Sequence, residues 1–249
     1  MTATTKTWQE LWEEIIKRSS VRSRRSDLSE QEWINYLSDF YYKKSGRKFG
    51  LTGPSKADEF TAELNRLKRF ISRDSIVLEV GAGTGRLAVP LANEAKRVTV
   101  IEPARASMRL LKKNAFSENI ANMDFVECLW SDFEPSEKYD LVYSAWSAGA
   151  SDPESLMKMH EASRGYCAIE LTAGPAYSER DFYWQIYPLA FGEDYRSEGG
   201  YLNILTSLYE HSIYANLETW PFERETEYES MEEALNHWKA LLMYYRDVS

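Results

Sequence analysis

The stretch Val77-Leu78-Glu79-Val80-Gly81-Ala82-Gly83-Thr84-Gly85-Arg86-Leu87 constrains this chain more than any other. Ile76 to Val80 is an apolar run of the kind found in a buried parallel strand. Three alternating glycines follow, and a helical pattern then runs from Thr84 to about Glu94. Small residues let a backbone approach a ligand closely, and the start of a helix offers unpaired N–H groups. A second strand, Arg97 to Ile101, ends at Glu102, whose carboxylate can accept hydrogen bonds from the two hydroxyls of a ribose. The sequence thus specifies a nucleoside-bearing cofactor at the mouth of a parallel sheet.

The glycine spacing discriminates between cofactors. A dinucleotide fingerprint requires G-x-G-x-x-G, with its last glycine where the helix packs closely on the strand. Arg86 occupies that position here and would crowd a pyrophosphate, while the third glycine falls one place early, at Gly85. The form Glu79-Val80-Gly81-Ala82-Gly83-Thr84-Gly85 instead resembles motif I of the class I S-adenosylmethionine-dependent methyltransferases, and the resemblance covers about Ile76 to Leu171.

That resemblance implies a set of roles. Glu79 would hydrogen-bond the loop backbone and reach the methionine amino group, and Gly81, Ala82, Gly83 and Gly85 would form the cradle. Glu102 would hold the ribose, with Pro103 near the adenine. Leu129 stands where relatives carry an acidic reader of the adenine amino group, so backbone groups of Leu129 and Trp130 would replace it, the indole serving as a wall. The segment Ser144-Ala145-Trp146-Ser147 would lie beside the sulfonium; it lacks the Asn-Pro-Pro-Tyr-like motif of DNA amino-methyltransferases. Tyr41, Trp146, Glu170 and Tyr183 are the candidates for the acceptor pocket. No residue declares itself as a general base, and His160, mid-helix, reads as structural.

Composition narrows the partners. A formal charge of -9 argues against a nucleic-acid partner, which calls for a basic footprint; the exception is the cluster Lys17-Arg18 through Arg22-Ser23-Arg24-Arg25. Only Cys128 and Cys167 are present, in or beside buried strands, so reduced core thiols are expected and no metal site is. No apolar run is long enough to span a membrane and no apolar signal region opens the chain, so the expectation is a soluble cytoplasmic protein. Sixteen tyrosines, eight tryptophans and ten phenylalanines suit either a ring-rich core or an aromatic pocket for an organic substrate.

The expected fold is α/β, a doubly wound and mostly parallel sheet of Rossmann-like methyltransferase type with an N-terminal helical cap. Residues 1–54 would form the cap and link, and 55–249 the cofactor-binding domain with an aromatic insertion at about 173–200. Capping boxes open helices at Thr7-Trp8-Gln9-Glu10 and Ser29-Glu30-Gln31-Glu32. A helix lined by Phe60, Leu64, Leu67 and Ile71 precedes the first strand. Met123 to Glu127, Tyr139 to Tyr143 and Tyr166 to Leu171 complete five strands, and Asp152-Pro153 starts a helix between the last two. Ser212 to Trp220 reads as a further strand, and Phe222 to Tyr228 as a candidate for the family's antiparallel seventh. Without that strand an edge stays unpaired, which a second copy of the chain, in a homodimer, would cover. The function expected is methyl transfer from S-adenosylmethionine to a small-molecule substrate. The alternatives are a non-catalytic cofactor-binding or assembly protein, and a protein methyltransferase.

Overall fold

Five apolar runs pair into one all-parallel sheet of strand order β3-β2-β1-β4-β5. The strands are β1 (Ile76–Val80), β2 (Arg97–Ile101), β3 (Met123–Val126), β4 (Tyr139–Ala145) and β5 (Ser163–Glu170). The computed structural model describes residues 6–20, 32, 54–171, 173, 178–220 and 228–242, and within these not every side chain. The chain divides into two units, residues 30–171 and residues 1–29 together with 172–249.

The sheet belongs to the unit 30–171. Its central strand β1 is buried along its whole length, which is why it carries no alternation of polar and apolar residues. Val77, Val98, Val100, Leu141 and Tyr143 face one core, closed by Leu64 and Leu67 of α2 (Pro54–Lys68), Leu91 of α3 (Ala88–Ala92) and Leu111 of α4 (Arg105–Ser117). Ile76, Leu78, Val80, Ile101 and Val142 face the other, against Met159 and Ala162 of α5 (Pro153–Ala162). Asp152 caps α5 by accepting from Ser155 N at 2.8 Å, with Pro153 in the first turn. Asp140 pins the amino ends of three strands, accepting from Ile76 N at 2.8 Å and pairing with both prongs of Arg164.

The other unit holds α1 (Trp8–Lys17), α6 (Ser178–Phe191), α7 (Tyr201–Glu210) and α8 (Met231–Leu242). Thr7 and Glu10 form the expected capping box of α1. Trp12 is buried and its indole N–H donates to Glu198 O at 3.2 Å, while Glu210 accepts from the backbone N–H groups of Trp8 and Gln9. Tyr187 of α6 packs edge-on against Phe191 and Tyr195, so part of the aromatic segment is helical core.

Three expectations are corrected. The helix after the glycine loop begins at Ala88 rather than Thr84, because Gly81, Gly83 and Gly85 take φ of 75°, 56° and 81°, which no helix accommodates. Strand β5 begins at Ser163 rather than Tyr166, directly where α5 stops. Residues 212–220 form no strand; Tyr214 and Leu217 are exposed, and among the described residues no neighbouring strand supplies a ladder. Cys167 stands on a strand with its middle residues open, yet burial pushes its thiol up to about 12, and Cys128 is half-buried. The helix expected from Ser29 and residues 222–227 lie outside the described residues. Among the described residues, the sheet ends at β5.

Candidate active site

The carboxyl ends of β1, β2, β4 and β5 converge on the glycine loop. The loop turns back over β2: Gly81 N and Ala82 N both donate to Ile101 O, at 2.9 and 3.0 Å, and Gly85 N closes the turn on Ala82 O at 2.9 Å. That fold brings Gly83 N within 2.8 Å of Glu102 Oε2, while Glu102 Oε1 accepts from Ala104 N at 2.8 Å. Two of the roughly four acceptor positions of the Glu102 carboxylate are therefore filled by backbone, and two are left for a ligand. Glu102 is 8% exposed; burial pushes its carboxyl above the usual range, against the pull of these two N–H groups.

Each glycine has its own reason. A Cβ on Gly81 would lie 2.4 Å from Ser147 Cβ, and one on Gly85 2.9 Å from Leu111 Cγ and from Val89 Cγ2. A Cβ on Gly83 would meet nothing within 4 Å. Gly81 and Gly85 thus serve packing, whereas Gly83 borders open space. Alanine at Gly81 is expected to destabilise the fold by roughly 1–3 kcal/mol, since a forced φ and a collision add. Alanine at Gly83 should cost about 1 kcal/mol of stability for its left-handed φ and should show its larger effect on ligand affinity. Chemical denaturation and calorimetry on the two variants separate the roles.

Glu79 lies on the side of β1 that faces the Leu64–Leu111 core and is 3% exposed. Its register partner on β4 is Tyr143, 1% exposed. Glu79 and Tyr143 lie close enough to influence each other, but neither Glu79 Oε2 nor Tyr143 Oη makes a hydrogen bond of ordinary geometry. Burial pushes the Glu79 carboxyl up to about 8, against the opposing pull of Tyr143 and Arg86. Beside them Arg86 forms a two-pronged ion pair with Glu63 of α2 and lies 5.8 Å from the Phe60 ring. Further along, Trp146 N donates to Glu170 O at 2.9 Å and Trp146 Nε1 to Glu170 Oε1 at 3.3 Å. Burial, and after it the neighbouring Glu63, push the Glu170 carboxyl up to about 7.

Several candidate residues take up packing roles in this arrangement. Ser144 is buried and bonds Ser147 Oγ at 2.6 Å; Ser147 in turn donates to Val80 O at 2.6 Å, so the loop after β4 is tied beneath the glycine loop. Trp130 is 7% exposed, stacks on Phe133, donates to Ser155 O at 3.2 Å, and has Lys158 Nζ 4.9 Å from its ring centre. Leu129 and Pro103 are half-buried after β3 and β2. Tyr41 lies outside the described residues; Tyr183 falls on α6, with its side chain outside them.

Sequence reasoning missed Glu63 and Tyr143, and the partners of Arg86 and Ser147. Glu63 had a signal: it stands three residues after Phe60 and beside Leu64, an acid inside an apolar stripe. Tyr143 had a weaker one, a hydroxyl at the end of a strand buried on both faces.

The groups present fit S-adenosylmethionine. A buried carboxylate oxygen without a partner suits an amino group, the space at Gly83 suits a ligand passing close to backbone, and Glu102 retains capacity for two hydroxyls. Residues 77–165 match a family model described as a methyltransferase domain. A curated relative, a probable ribosomal RNA small subunit methyltransferase A from Methanosphaera stadtmanae, is 29% identical over 106 residues, covering 40% of this chain and 38% of its own. The chain therefore spans well under half the length of that relative. The crystal structure of YjhP from E. coli is similar in fold, with a TM-score of 0.50, 16% identity and 70% of each chain covered. A SAM-dependent methyltransferase from Thiobacillus denitrificans in complex with S-adenosylhomocysteine matches with a TM-score of 0.44 and 17% identity, over 52% of this chain and 53% of its own. The glycine loop, β1 from Val77 onward and β2 to β4 thus fall within residues 77–165, the part of the chain that matches the methyltransferase domain.

Proposed function

We propose that the chain transfers the methyl group of S-adenosylmethionine to a small organic acceptor. The observation that carries the reading is the juxtaposition of Glu102, bound to the Gly83 backbone with acceptor positions to spare, and the unpartnered Glu79 Oε2. Gly81, Ala82, Gly83 and Gly85 would border the cofactor, Glu102 its ribose, and Glu79 its amino group. The cofactor supplies an electrophilic methyl on a positively charged sulfur. What remains to the protein is alignment of the acceptor and exclusion of water. Leu129, Trp130, Pro103 and Ser144 are proposed as the floor and adenine end of this cradle, and Trp146 and Glu170 as the acceptor side.

The acceptor class is argued from charge. A chain of net charge -9, whose arginine at the site is already engaged by both oxygens of Glu63, offers a phosphate backbone little to bind. An RNA acceptor is the competing reading, favoured by the name of the curated relative. Incubation with methyl-labelled S-adenosylmethionine and, in parallel, a small-metabolite extract, total RNA and a protein extract separates these readings. Label is expected in the small-molecule fraction; label confined to RNA or protein would overturn the acceptor assignment.

A further inference from the structure

The loop after β4 and the end of β5 hold groups that the cofactor cradle leaves unused. Trp146 has φ of 55° and is 44% exposed, directly after a strand that is otherwise buried. Its backbone N–H and its indole N–H both donate to Glu170, to the carbonyl and to Oε1. This fixes the Glu170 carboxyl against the edge of a partly open aromatic ring. Among the described residues, Glu63 faces that carboxyl from α2 and Arg86 from the glycine loop. Arg86, engaged by both oxygens of Glu63, pulls the Glu170 carboxyl down less than burial and Glu63 push it up. Glu79 and Tyr143, more than nine-tenths buried on the same side of the sheet, lie within the field of the same Glu63 and Arg86.

A carboxylate held beside an open indole is the pairing that recognises an ammonium: an ion pair and charge-assisted hydrogen bond on one side, a ring face or edge on the other. We propose that Glu170, positioned by Trp146, binds the ammonium of an amine acceptor and takes its proton, which makes the reaction an N-methylation. This rests on the methyl-transfer reading above. In the proton step an N–H bond of R–NH3+ breaks and an O–H bond forms on Glu170. The products are R–NH2 and a neutral carboxyl, with the freed electron pair on nitrogen, where a methyl acceptor requires it. The proton leaves Glu170 to water afterwards. Burial and Glu63 set the Glu170 carboxyl at about 7, close to the value at which a base both holds and releases a proton near neutrality.

Calorimetry at pH 8 on the full chain tests this. The protein is first saturated with S-adenosylhomocysteine, then titrated with benzylamine or phenethylamine and, separately, with benzyl alcohol or 2-phenylethanol. The amines are expected to bind about tenfold more tightly than the matched alcohols, the scale of one charge-assisted hydrogen bond. Glu170→Gln should erase that preference without changing S-adenosylhomocysteine affinity, and Trp146→Phe should reduce it. Alcohols binding as well as amines, no amine binding at all, or an undiminished preference in Glu170→Gln would overturn the proposal. If the wild-type chain fails to bind S-adenosylhomocysteine in the first step, the methyl-transfer reading fails instead, so the two failures are distinguishable.

Discussion

Glu102→Ala is expected to weaken S-adenosylhomocysteine binding by about 2–4 kcal/mol, between one and three orders of magnitude. Two effects add. The ribose hydroxyls lose a charged acceptor, and charge-assisted hydrogen bonds are the strong ones. The loop also loses its anchor, since Glu102 holds Gly83 N through Oε2 and Ala104 N through Oε1. Glu102→Gln separates the two, because an amide oxygen can keep one backbone bond but not both. Its loss should be intermediate. Calorimetry reads all three proteins, and equal affinities would remove Glu102 from the site.

The second large effect is a dependence on pH through Glu79. Its carboxyl is pushed from 4.5 to about 8 by burial, so near pH 7 it is mostly protonated. A ligand ammonium favours the ionised form, so binding releases a proton. Affinity for S-adenosylhomocysteine should then rise with pH, by at most about tenfold per unit, and level off near pH 8. Glu79→Gln should be flat over that range and weaker at pH 8 by about 2 kcal/mol. Stability should move the other way. Between 4.5 and about 8 the folded chain holds a proton that the unfolded chain has released, so this group makes the fold less stable as pH rises. Glu79→Gln, which stays neutral, should therefore be more stable than wild type at pH 8 and about equal to it below pH 4.5 in chemical denaturation. A variant that loses both binding and stability would mark Glu79 as structural only.

Much of this was legible in the sequence, for a reason visible in the fold. The strands of a doubly wound sheet are continuous apolar runs, and Ile76–Val80 is buried at all five positions, so its pattern admits no other element. Asp152-Pro153 and Thr7-Trp8-Gln9-Glu10 marked helix starts because capping is local chemistry. The acid after β2 stood out because it interrupts nothing else. What could not be seen depends on contacts distant in sequence. Arg86 was read against a pyrophosphate, but its environment is set by Glu63, on a helix that precedes the sheet. Trp130 could be an adenine wall or a packing group from sequence alone; Phe133, Ser155 and Lys158 surround it in the fold. Residues 212–220 alternate like a strand, but a strand needs a neighbour, and sequence does not say whether one is present.

The central claim is that the turn between β1 and β2 grips an adenosyl thioether. It is tested most directly by titrating S-adenosylhomocysteine into wild-type chain and into a Glu79→Gln, Glu102→Ala double variant at pH 8, with a nicotinamide dinucleotide as the control ligand. Saturable binding of one S-adenosylhomocysteine per wild-type chain is expected, with its loss in the double variant and no heat from the dinucleotide. Absence of binding to the wild type, undiminished binding to the double variant, or preference for the dinucleotide would contradict it.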